Sequence, residues 1–416
     1  MKKQFTLLVL LTAISFVVFA GGQKRKVLVI GVDGCRSDAL QQAVTPNIDS
    51  LVAKGFYSYN SWHCDITVSG PSWSSIMCGV YHNKHGVTGN SYSNSNYNVY
   101  PYFPKRAKEI KPNLKCIQYT EWAPMSDNVY NDGWDSKLKG PDGATSTTGD
   151  AAVAQIQDPD VDVLFTYFDA VDLSGHATGF TPNNTVYINA IQNVDVQIGR
   201  IIHQLRLRPT YAQEDWLVLL TTDHGGIGTG HGGNTITERN IWWIGYSDRG
   251  IAKQISGPDP GTYNTASLPT IPAINTDTQK LAPVQVDIAV TALHHLIYGS
   301  GVRPEQRTDW NLDGKSWLCD MGLCDATGVE DIADGGMEVK VFPNPSFGML
   351  TLYYTSETSK NVGVKVFDNS GRLVLEKQNF FQGVKENLDL STQPKGAYYI
   401  EIKDGEKTVV KKVVLQ

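Results

Sequence analysis

Three short apolar segments of this 416-residue chain each end at an aspartate. They are residues 26–33 (KVLVIGVD), 162–169 (DVLFTYFD) and 216–223 (WLVLLTTD). Runs of this length, rich in β-branched and aromatic residues, are typical of strands buried on both faces of a parallel sheet. Residues 185–205 carry apolar side chains at helical spacing, so strands alternate with helices. The sequence therefore predicts an α/β fold with a mostly parallel central sheet flanked by helices.

Side chains that follow the carboxyl ends of parallel strands are candidates for a functional site, because ligands bind at that edge of the sheet. Asp172 and His176 are four residues apart, which places both on one side of a turn or short helix. Carboxylate and imidazole together favour zinc, or manganese and related divalent ions. The candidate metal ligands are Asp33, Asp172, His176, Asp223, His224 and His231.

A serine-rich segment, residues 68–79 (VSGPSWSSIMCG), contains the candidate nucleophiles. Ser69 precedes Gly-Pro and then a plausible helix, whose first backbone amides would favour an anion. A free serine is a poor nucleophile at neutral pH, and metal coordination would activate it. The spacing does not distinguish Ser69 from Ser72, and either residue can instead cap the helix. Residues 90–100 (NSYSNSNYNVY) are predicted to form a surface loop that could border the site.

Charge and the N-terminus restrict the partners and the location of the protein. The formal net charge of −6 provides no basic surface, so binding to a nucleic acid duplex is not expected. Residues 1–20 carry lysines at positions 2 and 3 and continue as an apolar stretch that ends at Ala20, a pattern typical of a cleaved signal peptide. The apolar stretch is too short to span a bilayer, and we expect no transmembrane segment.

Export permits disulfides, and Cys319 and Cys324 are close enough in sequence to form a small local loop.

The last 80 residues have a different pattern from the rest of the chain. Residues 337–416 contain only strand-like segments, with turn signals at residues 369–371 and 404–405. This pattern predicts a small all-β domain of the sandwich type. The segment contains no histidine and no cluster of potential ligands, so interaction or sorting is a better role for it than catalysis.

The main part of the chain resembles the alkaline phosphatase superfamily, and within it the type I phosphodiesterase/nucleotide pyrophosphatase branch. The motifs that carry the resemblance are VIGVDGCRSD, TPNIDSLVAKG, SGPSWSSIMCGVYHNKHG, DAVDLSGHATG and TTDHGGIGTGHGG, in that order along the chain. The resemblance implies hydrolysis of a small phosphodiester or phosphomonoester at two divalent metal ions, zinc by preference. It implies a phosphoserine intermediate at Ser69. The implied ligand sets are Asp172, His176 and His231 for one ion, and Asp33, Asp223, His224 and the Ser69 oxygen for the other.

Two departures from the family pattern bear on the substrate. The phosphodiesterase branch usually has an asparagine three residues after the nucleophile, and this chain has Ser72 there, which makes Ser72 a candidate substrate-binding residue. Sulfatases of the same superfamily carry arginine where this chain has Trp73. The alternatives are a sulfatase with a modified Ser69 and a non-catalytic surface binding protein on the same scaffold.

The C-terminal segment resembles the sorting domain of the type IX secretion system. The matching pieces are VFPNPSFGMLTL, VKVFDNSGRLV and KGAYYIEIKDGEKTVVKKVVLQ. The resemblance implies that the secretion machinery is a partner and that the protein is secreted or displayed at the cell surface. The predicted organisation is a signal peptide (1–20), a metallohydrolase domain (24–325), a linker (326–336) and a β-sandwich sorting domain (337–416).

Overall fold

The computed structural model describes residues 23–263, 273–324 and 337–415, the last range with gaps at 343, 345, 347, 357–360, 382–385 and 405–406. The expected signal peptide and linker lie outside these residues. The described strands form one sheet of eight strands, one of three and one of four.

The eight-stranded sheet has the order β4-β3-β5-β1-β6-β7-β2-β8. Its strands are β1 (Lys24–Val32), β2 (Phe56–Trp62), β3 (Lys115–Thr120), β4 (Ser136–Lys139), β5 (Val161–Phe168), β6 (Glu214–Thr221), β7 (Asn240–Tyr246) and β8 (Lys253–Ser256). The five strands from β4 to β6 are mutually parallel, whereas β7 runs antiparallel to both β6 and β2. The three apolar segments are neighbours in the order β5-β1-β6, which confirms the predicted mostly parallel sheet.

Helices cover both faces of this sheet. They are α1 (Ser37–Gln42), α2 (Pro46–Val52), α3 (Ser69–Cys78), α4 (His82–His85), α5 (Phe103–Ile110), α6 (Ala123–Asn128), α7 (Thr145–Gln157), α8 (Ala170–Thr178), α9 (Thr185–Arg206), α10 (Ile236–Arg239), α11 (Thr276–Gln279) and α12 (Asp287–Ile297). Side chains of β1 alternate between the faces: Val27 and Val29 join one core, and Leu28 and Ile30 join the other. Burial on both faces explains why this strand is continuously apolar.

Helix α9 is the helix that the apolar spacing of residues 185–205 predicts. The side chain of Asn184 caps it by accepting hydrogen bonds from the amides of Val186 and Tyr187. Its apolar stripe packs into the core on one face of the sheet. Among the described residues, no helix is long and apolar enough to cross a membrane.

The C-terminal strands form two antiparallel sheets, as the sequence predicts. One has the order β13-β10-β9 and the other the order β12-β11-β14-β15. The strands are β9 (Met337–Phe342), β10 (Met349–Ser356), β11 (Asn361–Asp368), β12 (Leu373–Phe381), β13 (Glu386–Asp389), β14 (Gly396–Asp404) and β15 (Lys407–Leu415). Leu350 and Leu352 of one sheet share a core with Val364 and Ile400 of the other, which is the packing of a β-sandwich.

The disulfide of the described residues joins two cysteines that are only five residues apart in sequence. Cys319 and Cys324 form a disulfide that closes a small loop. Cys35, Cys64, Cys78 and Cys116 are buried free thiols. Their role is packing, because burial raises the pKa of the Cys35 thiol to about 12 and disfavours the reactive thiolate.

Candidate metal centre

The carboxyl ends of β1, β5 and β6 meet at one edge of the large sheet. The amide of Asp33, the residue after β1, donates a 2.9 Å hydrogen bond to the carbonyl of Phe168 at the end of β5. Helix α8 begins directly after β5 and carries Asp172 and His176 one turn apart. Parallel pairing thus brings together side chains that are up to 198 residues apart in sequence, from Asp33 to His231.

The first group consists of Asp33, Asp223 and His224. Nε2 of His224 lies 3.2 Å from Oδ2 of Asp223 and 3.6 Å from Oδ1 of Asp33. One ligand atom from each of the three residues lies within 4.8 Å of the others, a geometry that could hold a metal ion. All three side chains are buried.

The second group consists of Asp172, His176 and His231. Nε2 of His176 lies 3.3 Å from Oδ2 of Asp172 and 3.1 Å from Nε2 of His231. Nε2 of His231 lies 3.7 Å from Oδ1 of Asp172. The rings of His231 and His224 stack with their centroids 3.8 Å apart, so the two groups are adjacent.

All three histidines are oriented in the same way. Nδ1 of His176 contacts the carbonyl of Thr229 at 2.9 Å, Nδ1 of His224 that of Gly225 at 2.8 Å, and Nδ1 of His231 that of Thr67 at 2.9 Å. A carbonyl only accepts, so each Nδ1 carries a proton, and whenever the ring is neutral its Nε2 presents a lone pair to the centre. A backbone carbonyl that fixes the tautomer in this way is typical of histidines that ligate metals.

Glycine at position 34 allows the two groups to approach each other. Gly34 has φ of +62°, and a Cβ at this position would lie 2.5 Å from Oδ1 of Asp172. Its amide donates a 3.1 Å hydrogen bond to Oδ1 of Asp223. A residue with a side chain would be strained here and would displace Asp172.

The electrostatics of the centre favour cations. Oδ1 of Asp33, Oδ1 of Asp172 and Oδ2 of Asp223 are buried without a hydrogen-bond partner. Burial, reinforced by the charge of Asp172, raises the pKa of Asp33 to about 7, and burial raises the pKa of Asp223 well above its usual range. Buried carboxylate oxygens without donors are costly unless a cation neutralises them. The donor set therefore fits divalent metal ions.

Histidine protonation differs between the two groups. Burial lowers the pKa of His224 well below its usual value, so this ring is neutral and ready to ligate. The hydrogen bond with Asp172 raises the pKa of His176 to about 9, because that carboxylate favours the protonated ring.

Ser69 is the first residue of α3 and lies beside the first group. Its Oγ is 3.4 Å from Nε2 of His224, and its side chain is almost buried. The sequence places Ser69 at a helix start, and the structure adds its contact with a candidate ligand, His224.

The structure gives Ser72 a different environment from the one that the sequence predicts. Ser72 is completely buried, and its hydroxyl donates a 2.9 Å hydrogen bond to the carbonyl of Ile66. The hydroxyl of Ser72 thus has a backbone partner within the chain, and its role in substrate binding stays a prediction.

Asn90 is a candidate site residue that the sequence analysis did not single out. Its side-chain oxygen accepts a 2.8 Å hydrogen bond from the amide of Gly70, next to Ser69, and the residue is exposed. The amide nitrogen at the other end of this planar group is a donor. The only signal was the position of Asn90 in the polar loop expected to border the site, 21 residues after Ser69.

Two parts of the chain match known families. Residues 27–121 and 111–237 match the type I phosphodiesterase / nucleotide pyrophosphatase family. Residues 340–416 match the secretion system C-terminal sorting domain. The first match covers all the candidate metal ligands and Ser69.

Individual relatives are distant. A pyrophosphatase/phosphodiesterase of Schizosaccharomyces pombe, itself uncharacterized, is 27% identical over 220 residues, which are 48% of this chain and 44% of that protein. The bis(5'-adenosyl)-triphosphatase of Bos taurus is 23% identical over 218 residues, or 48% of this chain and 47% of that protein. The chain spans about half the length of the curated relatives it matches.

Solved structures share the fold over most of the chain. A 2-O GAG sulfatase has a TM-score of 0.54 and 13% sequence identity, with 89% of this chain and 86% of that chain covered. At this identity the likeness concerns the fold alone.

Proposed function

The chain belongs to the type I phosphodiesterase / nucleotide pyrophosphatase family, and we propose that it hydrolyses phosphoesters at a two-metal centre with Ser69 as the nucleophile. The observation that carries the proposal is the position of Ser69, whose Oγ lies 3.4 Å from Nε2 of His224. This places Ser69 at the edge of a cluster of three histidines and three aspartates. A hydroxyl in that position can be activated by a metal ion that His224 also binds.

The two groups of side chains fit two divalent cations, and the mixture of imidazole and carboxylate favours zinc. Such ions, when bound, lower the pKa of the serine hydroxyl and offset the negative charge of the substrate. The residues that would hold them are Asp33, Asp223, His224 and Ser69 for one ion, and Asp172, His176 and His231 for the other.

Ser69 would carry the covalent chemistry. Its oxygen forms a bond to phosphorus while the bond to the leaving alcohol or phosphate breaks, and water then cleaves the phosphoserine. The start of α3 also directs the positive end of the helix dipole toward the same place, which favours the anionic phosphoryl group.

Asn90 would bind a non-bridging phosphoryl oxygen. The hydrogen bond from Gly70, the residue after Ser69, fixes the side-chain oxygen of Asn90, and the amide group of Asn90 would be the donor. A fixed donor of this kind stabilises the charge that develops on the phosphoryl group in the transition state. This role is an alternative to the one that the sequence predicts for Ser72.

The test is kcat/KM for an aryl phosphodiester, the aryl phosphomonoester and the aryl sulfate, measured with zinc for the wild type and for Ser69→Ala. We expect turnover of a phosphoester, reduced roughly 10³-fold or more in Ser69→Ala. Preference for the sulfate ester would contradict the proposal and favour the sulfatase alternative. Absence of both turnover and bound metal would favour a non-catalytic binding protein.

We also propose that the protein acts outside the cell. The match of residues 340–416 to a secretion sorting domain supports delivery by the secretion machinery to the surface or the medium. The N-terminal pattern of residues 1–20 supports the first export step. The domain boundaries at 20, 325 and 336 remain predictions.

A further inference from the structure

The two carboxylate oxygens of Asp33 have different environments. Oδ2 accepts a 2.8 Å hydrogen bond from Nε1 of Trp73 and a 2.5 Å hydrogen bond from the hydroxyl of Tyr167. Oδ1 is buried and has no hydrogen-bond partner. It lies 3.6 Å from Nε2 of His224, on the side of the candidate metal centre. One oxygen is therefore saturated by donors, and the other is left for a cation.

The two donors come from different elements. Tyr167 belongs to β5 and pairs with Gly31 of the neighbouring strand β1. Trp73 belongs to α3, one turn after Ser69. The rings of Trp73 and Tyr167 contact each other edge to face, with centroids 5.2 Å apart and an interplanar angle of 83°. Asp33 is thus held between the sheet and the helix that carries the nucleophile.

The space for Trp73 depends on β1 itself. A Cβ at Gly31 would lie 2.4 Å from the indole ring of Trp73. The strand therefore needs glycine two residues before Asp33 for the indole to reach the carboxylate. Trp73 is completely buried, so its N–H would lack a partner without Asp33.

A carboxylate with both oxygens free can bind a metal through one or two oxygens and can tilt between these modes. Hydrogen bonds to an ionised group in a buried site are among the strong ones, so two donors on Oδ2 restrain the carboxylate. The indole also connects the restrained ligand to α3, at whose start Ser69 lies.

We propose that Trp73 and Tyr167 are positioning residues that make Asp33 a one-oxygen metal ligand and fix the helix bearing Ser69 relative to the metal centre. The inference rests on the proposed function, because it requires a metal ion at Oδ1 of Asp33. Neither residue touches the substrate; both act through Asp33.

The experiment compares Trp73→Phe and Tyr167→Phe with a matched control, Trp317→Phe. Trp317 is also a buried tryptophan that donates a 2.7 Å hydrogen bond to a buried carboxylate, that of Asp287, and neither residue belongs to the centre. Tyr167→Phe removes a single oxygen, so it decides the question if Trp73→Phe does not fold. Zinc dissociation constants are measured by chelator competition, and Co(II)-substituted protein is examined by visible absorption, which responds to coordination number.

We expect both variants to bind zinc about 10-fold more weakly and to change the Co(II) spectrum, while Trp317→Phe does neither. We also expect kcat for the phosphoester to fall by a similar factor with KM nearly unchanged. Unchanged zinc affinity and an unchanged Co(II) spectrum in Tyr167→Phe would overturn the inference, as would an equal loss in Trp317→Phe. If the inference fails but the wild-type protein binds zinc and hydrolyses the phosphoester, the proposed function still holds. If the wild-type protein neither binds zinc nor hydrolyses the phosphoester, the inference and the proposed function both fail.

Discussion

Nε2 of His176 lies 3.1 Å from Nε2 of His231, although each ring already uses its Nδ1 proton on a backbone carbonyl. Two unprotonated nitrogens would repel each other at this distance. A proton on one of the two nitrogens, or a metal ion that both would ligate, would remove this repulsion. Asp172, with Oδ2 3.3 Å from Nε2 of His176, supplies the negative charge that stabilises either one.

Competition between the proton and the metal predicts a pH dependence of zinc affinity. In the metal-free site the hydrogen bond with Asp172 raises the pKa of His176 to about 9, whereas ligation needs the neutral ring. Protonation therefore opposes metal binding at every pH below about 9, and zinc affinity should rise from pH 6 to pH 8. Each competing proton gives at most about a 10-fold change per pH unit, and Asp33, with its pKa raised to about 7, adds a second competing proton below that pH. Chelator competition at several pH values measures this slope, and an affinity independent of pH would contradict the account.

Removal of the His176 ring should lower metal content and turnover together. His176 is the most exposed of the three histidines, with 44% of its side chain accessible, so His176→Ala should leave the fold intact. We expect about one metal ion per chain in place of two, by elemental analysis of purified protein. The control is His203→Ala, at an exposed position in the last turn of α9. Full metal occupancy in His176→Ala would exclude His176 as a ligand.

Asn90 and Ser72 should respond in opposite ways to alanine substitution. Asn90→Ala removes the proposed donor to the phosphoryl oxygen, so kcat/KM should fall about 10²-fold without loss of stability. Ser72→Ala removes an internal hydrogen bond to Ile66, so the free energy of unfolding should fall by about 1 kcal/mol with kcat/KM nearly unchanged. Kinetics and thermal unfolding of both variants decide between the two residues. A larger kinetic effect at Ser72 would restore the role that the sequence predicts for it.

Deletion of residues 337–416 should affect export but not catalysis. The core of the C-terminal sandwich and the two cores of the large sheet are made of different sets of residues. The shortened chain should therefore retain kcat/KM and fail to reach the cell surface or the medium. Fractionation of cells producing each form, with activity assayed in every fraction, measures both effects. A soluble, folded but inactive shortened protein would contradict the prediction.

The sequence predicts the parts of the centre that depend on local pattern. Asp33 and Asp223 follow apolar strands, and parallel strands place their carboxyl ends at a single edge. Asp172 and His176 are related by one helical turn. Local rules of this kind are sufficient to predict the parallel sheet and the candidate ligands from the order of residues alone.

The parts that the sequence does not reveal depend on contacts between distant segments. Asn90 reaches Gly70 through the path of a polar loop, which has no periodic pattern. The donors to Asp33 are a tryptophan and a tyrosine, which are residue types common in any buried core. The contact of Ser72 with the carbonyl of Ile66 is not predictable in the same way, because spacing gives the position along a helix but not the partner of the side chain.

The most direct test of the central claim is to trap the covalent intermediate. Zinc-loaded protein is mixed with an aryl phosphodiester, quenched in acid during turnover and digested, and the peptide containing Ser69 is analysed by mass spectrometry. The account predicts a phosphoryl adduct on Ser69 in the wild type and none in Ser69→Ala, which should also lose turnover. Turnover without an adduct at Ser69, at equal rates in Ser69→Ala and wild type, would show that Ser69 is not the nucleophile.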